Sequence, residues 1–512
     1  MLTVQDPHII DPARTLSAEI TAAYELVERG ALAEAESACR RALALSGGRH
    51  PGAWTALGVV LREQKRPAES EQAYRRALKE APRHVPAHHN LGALLSHLER
   101  AEEALVSLDR AAALGLKAPE LYINRGRTLA QLYRFDEAER EYVRAVGLAP
   151  RNSMAQADLA RLRHIRGDPA FARDMAAAAA AHPADIALHL AYAELLQRAG
   201  DLAAAERALR ILLAKSGAIP EVRSVLASVL QEMGRLKEAE TEALEAAIGR
   251  PNHSNVIATL VSIELARGQP DAALPFIRAQ RQRQPLEQLW IAYEAIAARL
   301  LQDPLYRKLY DYERFVRVYE LEAPATWRSM GEFNAALIEA LRVRHRFAGH
   351  PLDQSLRNGS QSARSLLTDA DAAVKALLDA FVTPLEDYRA ALGTEADHPL
   401  SARNRGGISL QGCWSVELRR DGFHMNHIHP EGWLSSAYYV SVPVEVDDTE
   451  AKSGWIKFGE PRVPMPGVQA EHFVQPRAGR LVLFPSYMWH GTNAIHGEEP
   501  RLTVAFDATP RP

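Results

Sequence analysis

Cysteine is almost missing from this chain of 512 residues, with only Cys39 and Cys413 present. Two thiols far apart in sequence exclude both a disulfide framework and a thiolate zinc site, so any metal has to be held by histidine and carboxylate. Charge of one sign is not in excess either: 61 Lys and Arg against 64 Asp and Glu leave a formal charge of -3. That balance gives no electrostatic footprint for nucleic acid or for an anionic membrane surface. No apolar run is long enough to span a bilayer, and Ala176 to Ala181 is an alanine stretch inside an amphipathic pattern. Met1 to Arg14 carries Asp6, His8, Asp11 and Pro12, where a secretory signal needs a continuous apolar core. The expectation is a cytoplasmic protein with neither nucleic acid nor membrane among its partners.

What the chain has in abundance is internal repetition. Its length implies two or three domains, and the first half shows why. Gly58, Gly92 and Gly126 are spaced by 34 residues, as are Ala77, Ala111 and Ala145. The same period returns at Gly200, Gly234 and Gly268. Within a unit, Trp54 to Gly58 opens one helix, Ala73 and Ala77 lie on a second, and Pro82 closes the pair. Small residues at fixed offsets let two antiparallel helices approach closely, so about seven to eight stacked pairs are expected, with a concave groove suited to an extended peptide or another protein. Beyond Pro285 the period fades and aromatics such as Trp290, Tyr306 and Tyr310 accumulate.

From Ile408 onward the chain breaks into short runs rich in Trp, Tyr, Val and Phe, at 408–419, 434–442, 454–458, 469–474, 480–484 and 501–507. Such runs predict a sandwich or barrel. Just before the second run stands His427-Ile428-His429. Residues two apart on extended chain face the same side, so both imidazoles aim into one cavity. His490, after the run Leu481 to Phe484, is a candidate third ligand. Alternation from Arg501 to Phe506 turns Arg501 and Thr503 to one face and Leu502, Val504 and Phe506 to the other. An inward arginine calls for an anion, although a buried acid such as Glu417 or Asp507 would serve it as well. His424, His472 and His496 read as surface or loop residues. Trp414, Trp433 and Trp455 read equally as packing or as substrate contacts.

These motifs carry two resemblances. The repeated unit resembles the tetratricopeptide repeat. The C-terminal stretch resembles the double-stranded β-helix, a jelly-roll or cupin-like fold, of the iron(II)/2-oxoglutarate-dependent oxygenases, in particular a bacterial group in which that domain follows tetratricopeptide repeats. The matching pieces are His427 to Pro430, Leu434 to Val440, Lys457 to Arg462, Leu483 to Ser486 with His490, and Arg501 to Thr503; with His350 to Ser362 the likeness covers residues 290 to 512. It implies a multidomain chain with an N-terminal tail (1–15), a repeat domain (16–287), a helical segment supporting the oxygenase (288–400) and the oxygenase itself (401–512). It further implies Fe(II), 2-oxoglutarate and O2 as cofactor and cosubstrates. His427 and His490 would be iron ligands, while Arg501, Thr503 and Tyr439 would hold the distal carboxylate of 2-oxoglutarate. Arg357, Gln361, Trp433 and Trp455 are expected to line the pocket.

The departure is His429, which stands where the wider superfamily has the carboxylate of a two-histidine, one-carboxylate face. It is a third ligand, a residue beside a two-histidine iron, or the sign of another metal. The expected activity is hydroxylation of a peptide or protein side chain recruited by the repeats. The alternatives are a three-histidine metal enzyme of cupin type without 2-oxoglutarate, and an oxygenase of small molecules whose repeats serve as an interaction scaffold. A fragment of residues 288–512, if it folds, is expected still to bind iron and 2-oxoglutarate.

Overall fold

The structure is a computed structural model that describes residues 12–511. The expected tail of residues 1–15 therefore lies outside the described residues as far as 11, and a helix, Pro12–Glu28, already begins at Pro12. Two compact units part between Leu159 and Ala160. No helix among the described residues is long and apolar enough to cross a membrane.

The first unit consists of antiparallel helix pairs. First helices start at Pro51, Val85 and Pro119 and second helices at Pro67, Ala101 and Phe135, which reproduces the 34-residue spacing of the sequence. The close approach of paired helices explains the invariant small positions. A Cβ on Gly58 would come within 2.4 Å of the Tyr74 ring, and one on Gly126 within 2.5 Å of Tyr142. Beside the first of these contacts, buried Ser70 donates its hydroxyl to the Gly58 carbonyl at 2.6 Å.

The second unit continues the same helical rule and then changes. Helices starting at Ile186, Pro220, Ser254 and Gln288 keep the period, so Gln288–Leu300 is one more repeat helix beyond the point where the sequence pattern fades. Among the described residues nine strands follow: β1 (Arg317–Glu320), β2 (Leu356–Gln361), β3 (Ile408–His424), β4 (Leu434–Ser441), β5 (Ile456–Phe458), β6 (His472–Val474), β7 (Arg480–Pro485), β8 (His490–Thr492) and β9 (Arg501–Pro510). They form a six-stranded sheet of order β1-β7-β4-β9-β3-β2 and a three-stranded sheet of order β6-β5-β8, every pair antiparallel. This is the jelly-roll-type region expected, with one correction. The segment 288–400 is not purely helical, because it supplies β1 and β2, the two edge strands of the large sheet. β3 also runs five residues further than read, to His424.

One hydrophobic core runs through this second unit, from Ala193, Leu226 and Leu260 in the repeat helices through Trp290 and Tyr310 to Tyr438, Phe484 and Phe506 in the strands. Polar anchors reinforce it. Arg299 donates to the carbonyls of Gly459 at 2.8 Å and Gln469 at 3.0 Å, and the Tyr487 hydroxyl bonds the Leu309 carbonyl at 2.8 Å. The compositional boundary near 285–305 thus marks a change of element type within a single packed body.

Candidate metal centre

Strand alternation builds the wall of the site. Along β9, Leu502, Val504, Phe506 and Ala508 enter the core, whereas Arg501, Thr503, Ala505 and Asp507 line a cavity of about 690 Å³. Thr503 is paired with Val416 on β3 and with Tyr439 on β4, and both of those residues line the same space. The segment between β3 and β4 crosses it. There, His427 and His490 exchange backbone hydrogen bonds of 2.8 and 3.0 Å, and the His429 amide donates to Ser486 at 2.9 Å. These bonds hold three imidazoles together, with ring centroids 4.3 to 5.1 Å apart.

The proton positions follow from the partners. His427 Nδ1 meets the Met425 carbonyl at 2.8 Å, His490 Nδ1 meets the Met488 carbonyl at 2.9 Å, and His429 Nδ1 meets the Asp507 carboxylate at 2.8 Å. All three partners are pure acceptors, so each Nδ1 carries the proton and each Nε2 is left with a lone pair. The Nε2 atoms of His427 and His429 are 3.2 Å apart, and one ring nitrogen from each of the three residues falls within 4.8 Å of the others. Lone pairs gathered in this way repel one another unless a cation lies between them, so the donor set fits a metal ion. Burial, reinforced by the neighbouring imidazoles, holds His490 well below the usual histidine range and brings His427 down to about 3.

Asp507 is the carboxylate of this centre, and it stands behind a histidine. Burial alone would raise its pKa, but His429 and a 2.7 Å hydrogen bond from Ser435 reverse the direction and keep it ionised. Arg501 is therefore not its partner, nor that of Glu417, which pairs with Arg419 at 3.0 Å. Arg501 is 2 % exposed, donates to the Gly454 carbonyl and leaves its Nε without a partner; the Tyr439 hydroxyl beneath it is likewise unpartnered among the described residues. The guanidinium lies 5.6 Å from the Tyr439 ring centre. An unmet buried donor costs about 1–3 kcal/mol, so this corner fits an anionic ligand with several acceptor oxygens.

Arg357 and Gln361 line the cavity as expected. Trp433 and Trp455 do not. Trp433 is fully buried in the core with its indole donating to Leu400 at 2.9 Å, and Trp455 donates to Val446 at 2.8 Å. Trp414 is the cavity tryptophan instead. His424 also differs from its sequence reading: it lines the cavity, and Ser355 Oγ lies 2.9 Å from its Nδ1 and 3.3 Å from His427 Nε2. A register shift between Leu418 and Phe423 interrupts the alternation of β3 before His424, whereas Asp507 shares the parity of Arg501 and Thr503 on β9. His472 is half-buried, stacked on Tyr312 at 4.9 Å, while His496 is the exposed loop residue expected.

Comparison with known proteins agrees with this geometry. Residues 412–507 match a family model described as "Putative 2OG-Fe(II) oxygenase". Residues 20–85 and 190–255 match one tetratricopeptide-repeat model and residues 119–152 another. The chain thus carries stretches that match tetratricopeptide repeats and a C-terminal stretch that matches a 2OG-Fe(II) oxygenase domain. That family implies Fe(II) and 2-oxoglutarate, which the three imidazoles and the Arg501 corner fit.

Solved structures similar to the chain include a tetratricopeptide repeat protein of Parabacteroides merdae, at 20% identity over 48% of this chain and 98% of that one, TM-score 0.36. PilF of Pseudomonas aeruginosa is 17% identical over 48% and 96%, TM-score 0.31. Yeast Tom70 is 15% identical over 60% and 69%, TM-score 0.43. No match is found among curated proteins.

Proposed function

We propose that the chain is an iron(II)- and 2-oxoglutarate-dependent oxygenase that hydroxylates a side chain of a peptide or protein recruited by its repeats. The observation that carries this reading is the convergence of three Nε2 lone pairs in a cavity whose wall also bears a buried arginine with no carboxylate. In this reading His427, His429 and His490 hold the iron. Arg501, with Thr503 and Tyr439, receives the distal carboxylate of 2-oxoglutarate, for which a planar guanidinium is suited. When bound, the metal supplies the dioxygen chemistry that couples conversion of 2-oxoglutarate to succinate and carbon dioxide with hydroxylation of a C–H bond.

The chain's own residues orient and protect. Asp507 and the carbonyls of Met425 and Met488 keep each Nδ1 proton in place and each Nε2 free. Ile456 and Phe484 contribute apolar surface to the cavity wall. The two buried free thiols accord with a cytoplasmic, reducing compartment. Repeats of this type are interaction scaffolds, which favours a macromolecular substrate.

The test is an anaerobic Fe(II) titration of the full chain with and without 2-oxoglutarate. A visible charge-transfer absorption that requires both is the expected result. Tight metal binding that is indifferent to 2-oxoglutarate would replace this reading with the three-histidine metal enzyme.

A further inference from the structure

Arg501 is one of two arginines in the cavity that no carboxylate meets. The other is Arg357, on edge strand β2 opposite Phe423. Its Nη1 donates to the carbonyls of Gln354 and Leu356, both at 2.8 Å, and among the described residues no Asp or Glu lies within ion-pair distance. Other basic groups surround it. His164, His350, His424 and Arg462 feel or oppose its charge, and burial followed by Arg462 lowers its pKa. Nearby carboxylates are engaged elsewhere: Asp353 pairs with Arg161 and Arg198, while Glu232 accepts from Gln197 at 2.9 Å and from Arg462 at 3.4 Å. A half-buried guanidinium amid like charge is unfavourable until an anion joins it.

Its position indicates where such an anion comes from. Arg198, Asp353, Gln354, Pro430, Glu431 and Arg462 are the exposed members of the cavity wall and mark its opening, whereas Arg501 and His490 are among its buried members. At that opening a second cavity of about 300 Å³ shares Arg198 and Arg462 with the first. The carboxamides and hydroxyls of Gln197, Ser228, Gln231 and Ser262 line it from the inner repeat helices. Gln197 donates to Ser228 at 2.8 Å and Gln231 to Ser262 at 3.0 Å; these side chains carry no charge of their own, so charge selection is left to the arginine further in.

We propose that Arg357 binds a carboxylate of the substrate, so that the chain selects acidic peptides delivered along the amide-lined groove of its last repeats. This rests on the oxygenase reading for the identity of the site and adds the class of substrate to it. Arg501 serves the cosubstrate and Arg357 the substrate, which separates the two anions in the cavity.

The test uses the full chain loaded anaerobically with Fe(II) and 2-oxoglutarate. Fluorescein-labelled heptapeptides of glycine and alanine carry a central Asp or Glu, the matching Asn or Gln, or a free as opposed to amidated C-terminus, and N-acetyl-aspartate is the competitor that represents a free small acid. The acidic peptides should bind about tenfold or more tightly over their neutral isosteres. Arg357→Gln should erase that preference, Arg357→Lys should keep part of it, and both should retain the charge-transfer band and the melting temperature of the parent. An unchanged preference in Arg357→Gln, no preference in the parent, or loss of the 2-oxoglutarate response in the variant would each overturn the proposal. Competition by N-acetyl-aspartate as strong as by the peptides would overturn the peptide half of it. Acid preference in a parent that shows no charge-transfer band would support the proposal while removing the oxygenase reading.

Discussion

His429, with the Asp507 carboxylate behind its Nδ1, is the most consequential local feature of this protein. A carboxylate that fixes an imidazole's tautomer and increases its basicity commonly changes metal affinity by about 10–100-fold when it is removed. Asp507→Asn should lower Fe(II) affinity by that order in a chelator competition; unchanged affinity would mean that His429 is not a ligand. The same geometry refines what His429→Asp can do. A carboxylate there faces Asp507, already held at 2.7 Å from the His429 ring, and two carboxylates in contact share a proton instead of presenting two charges. Restoration of the common facial triad should therefore need His429→Asp together with Asp507→Asn, and the single change should bind iron more weakly than the pair.

Arg501→Ala is expected to raise the apparent 2-oxoglutarate requirement about tenfold or more with Fe(II) binding nearly intact, and lysine should not rescue it, since the fork is what matches a carboxylate. Equal loss of both would make Arg501 structural. Acid should act through the histidines. His427 and His350, at about 3 and about 4 when folded, lie below the usual histidine value near 6.5 because burial penalises their charge. The unfolded chain takes up those protons first, so the metal-free protein should hold its stability above about pH 6.5 and lose it progressively toward pH 3. Chemical denaturation at stepped pH measures this; a flat profile from pH 7 to 4 would show that these rings are more solvated than the structure has them.

Helix pairs and strands differ in how much of their placement local sequence controls. The repeat helices are specified by small residues that neighbouring rings require. Gly126→Ala would drive a methyl into the Tyr142 ring, 2.5 Å from where Cβ must go, and overpacking of this kind costs about 1–3 kcal/mol. A lower melting temperature for the first unit, with Fe(II) binding in the second unchanged, is the expected result. The short edge strands β1 and β2 carry no comparable signal. Arg317–Glu320 and Leu356–Gln361 have four and six residues, lie among helical composition, and become strands only because β7 and β3 offer open edges to pair with. Trp433 and Trp455 show the same limit for side chains. An aromatic beside a histidine motif is compatible with either face of a strand, and hydrogen bonds to Leu400 and Val446 decided for packing.

The second unit behaves as one body in which repeat helices and strands share a core. Leu226, Leu260 and Ile263 bury against the same cluster as Trp290 and Phe484. A fragment of residues 288–512 would expose that wall. The prediction is that 288–512 is recovered unfolded, whereas a fragment from Ser153, which keeps the whole helix Ser153–Ile165 and Arg161 with its partner Asp353, folds and binds Fe(II). Cooperative melting of both fragments, followed by circular dichroism, would show that the repeats are dispensable to the core.

By itself the sequence determined the repeat period, the β character beyond residue 408, the metal-binding histidine triplet as a candidate and the inward parity of Arg501 and Thr503. The period, the strand character and the parities follow from periodicity, a property of the local chain that does not depend on what it packs against, and His490 from its residue type and its place after a strand-like run. Tertiary structure alone decided that Asp507 stands behind His429 and that His424 belongs to the site, that Arg357 faces it without a carboxylate, that two strands come from the helical segment, and that the last repeats and the strands share one core. Those outcomes depend on which distant residues meet, as with Asp507 and His429 across 78 residues of chain. A contact of that kind is settled by the energy of the whole packed arrangement, which no local window of the sequence contains.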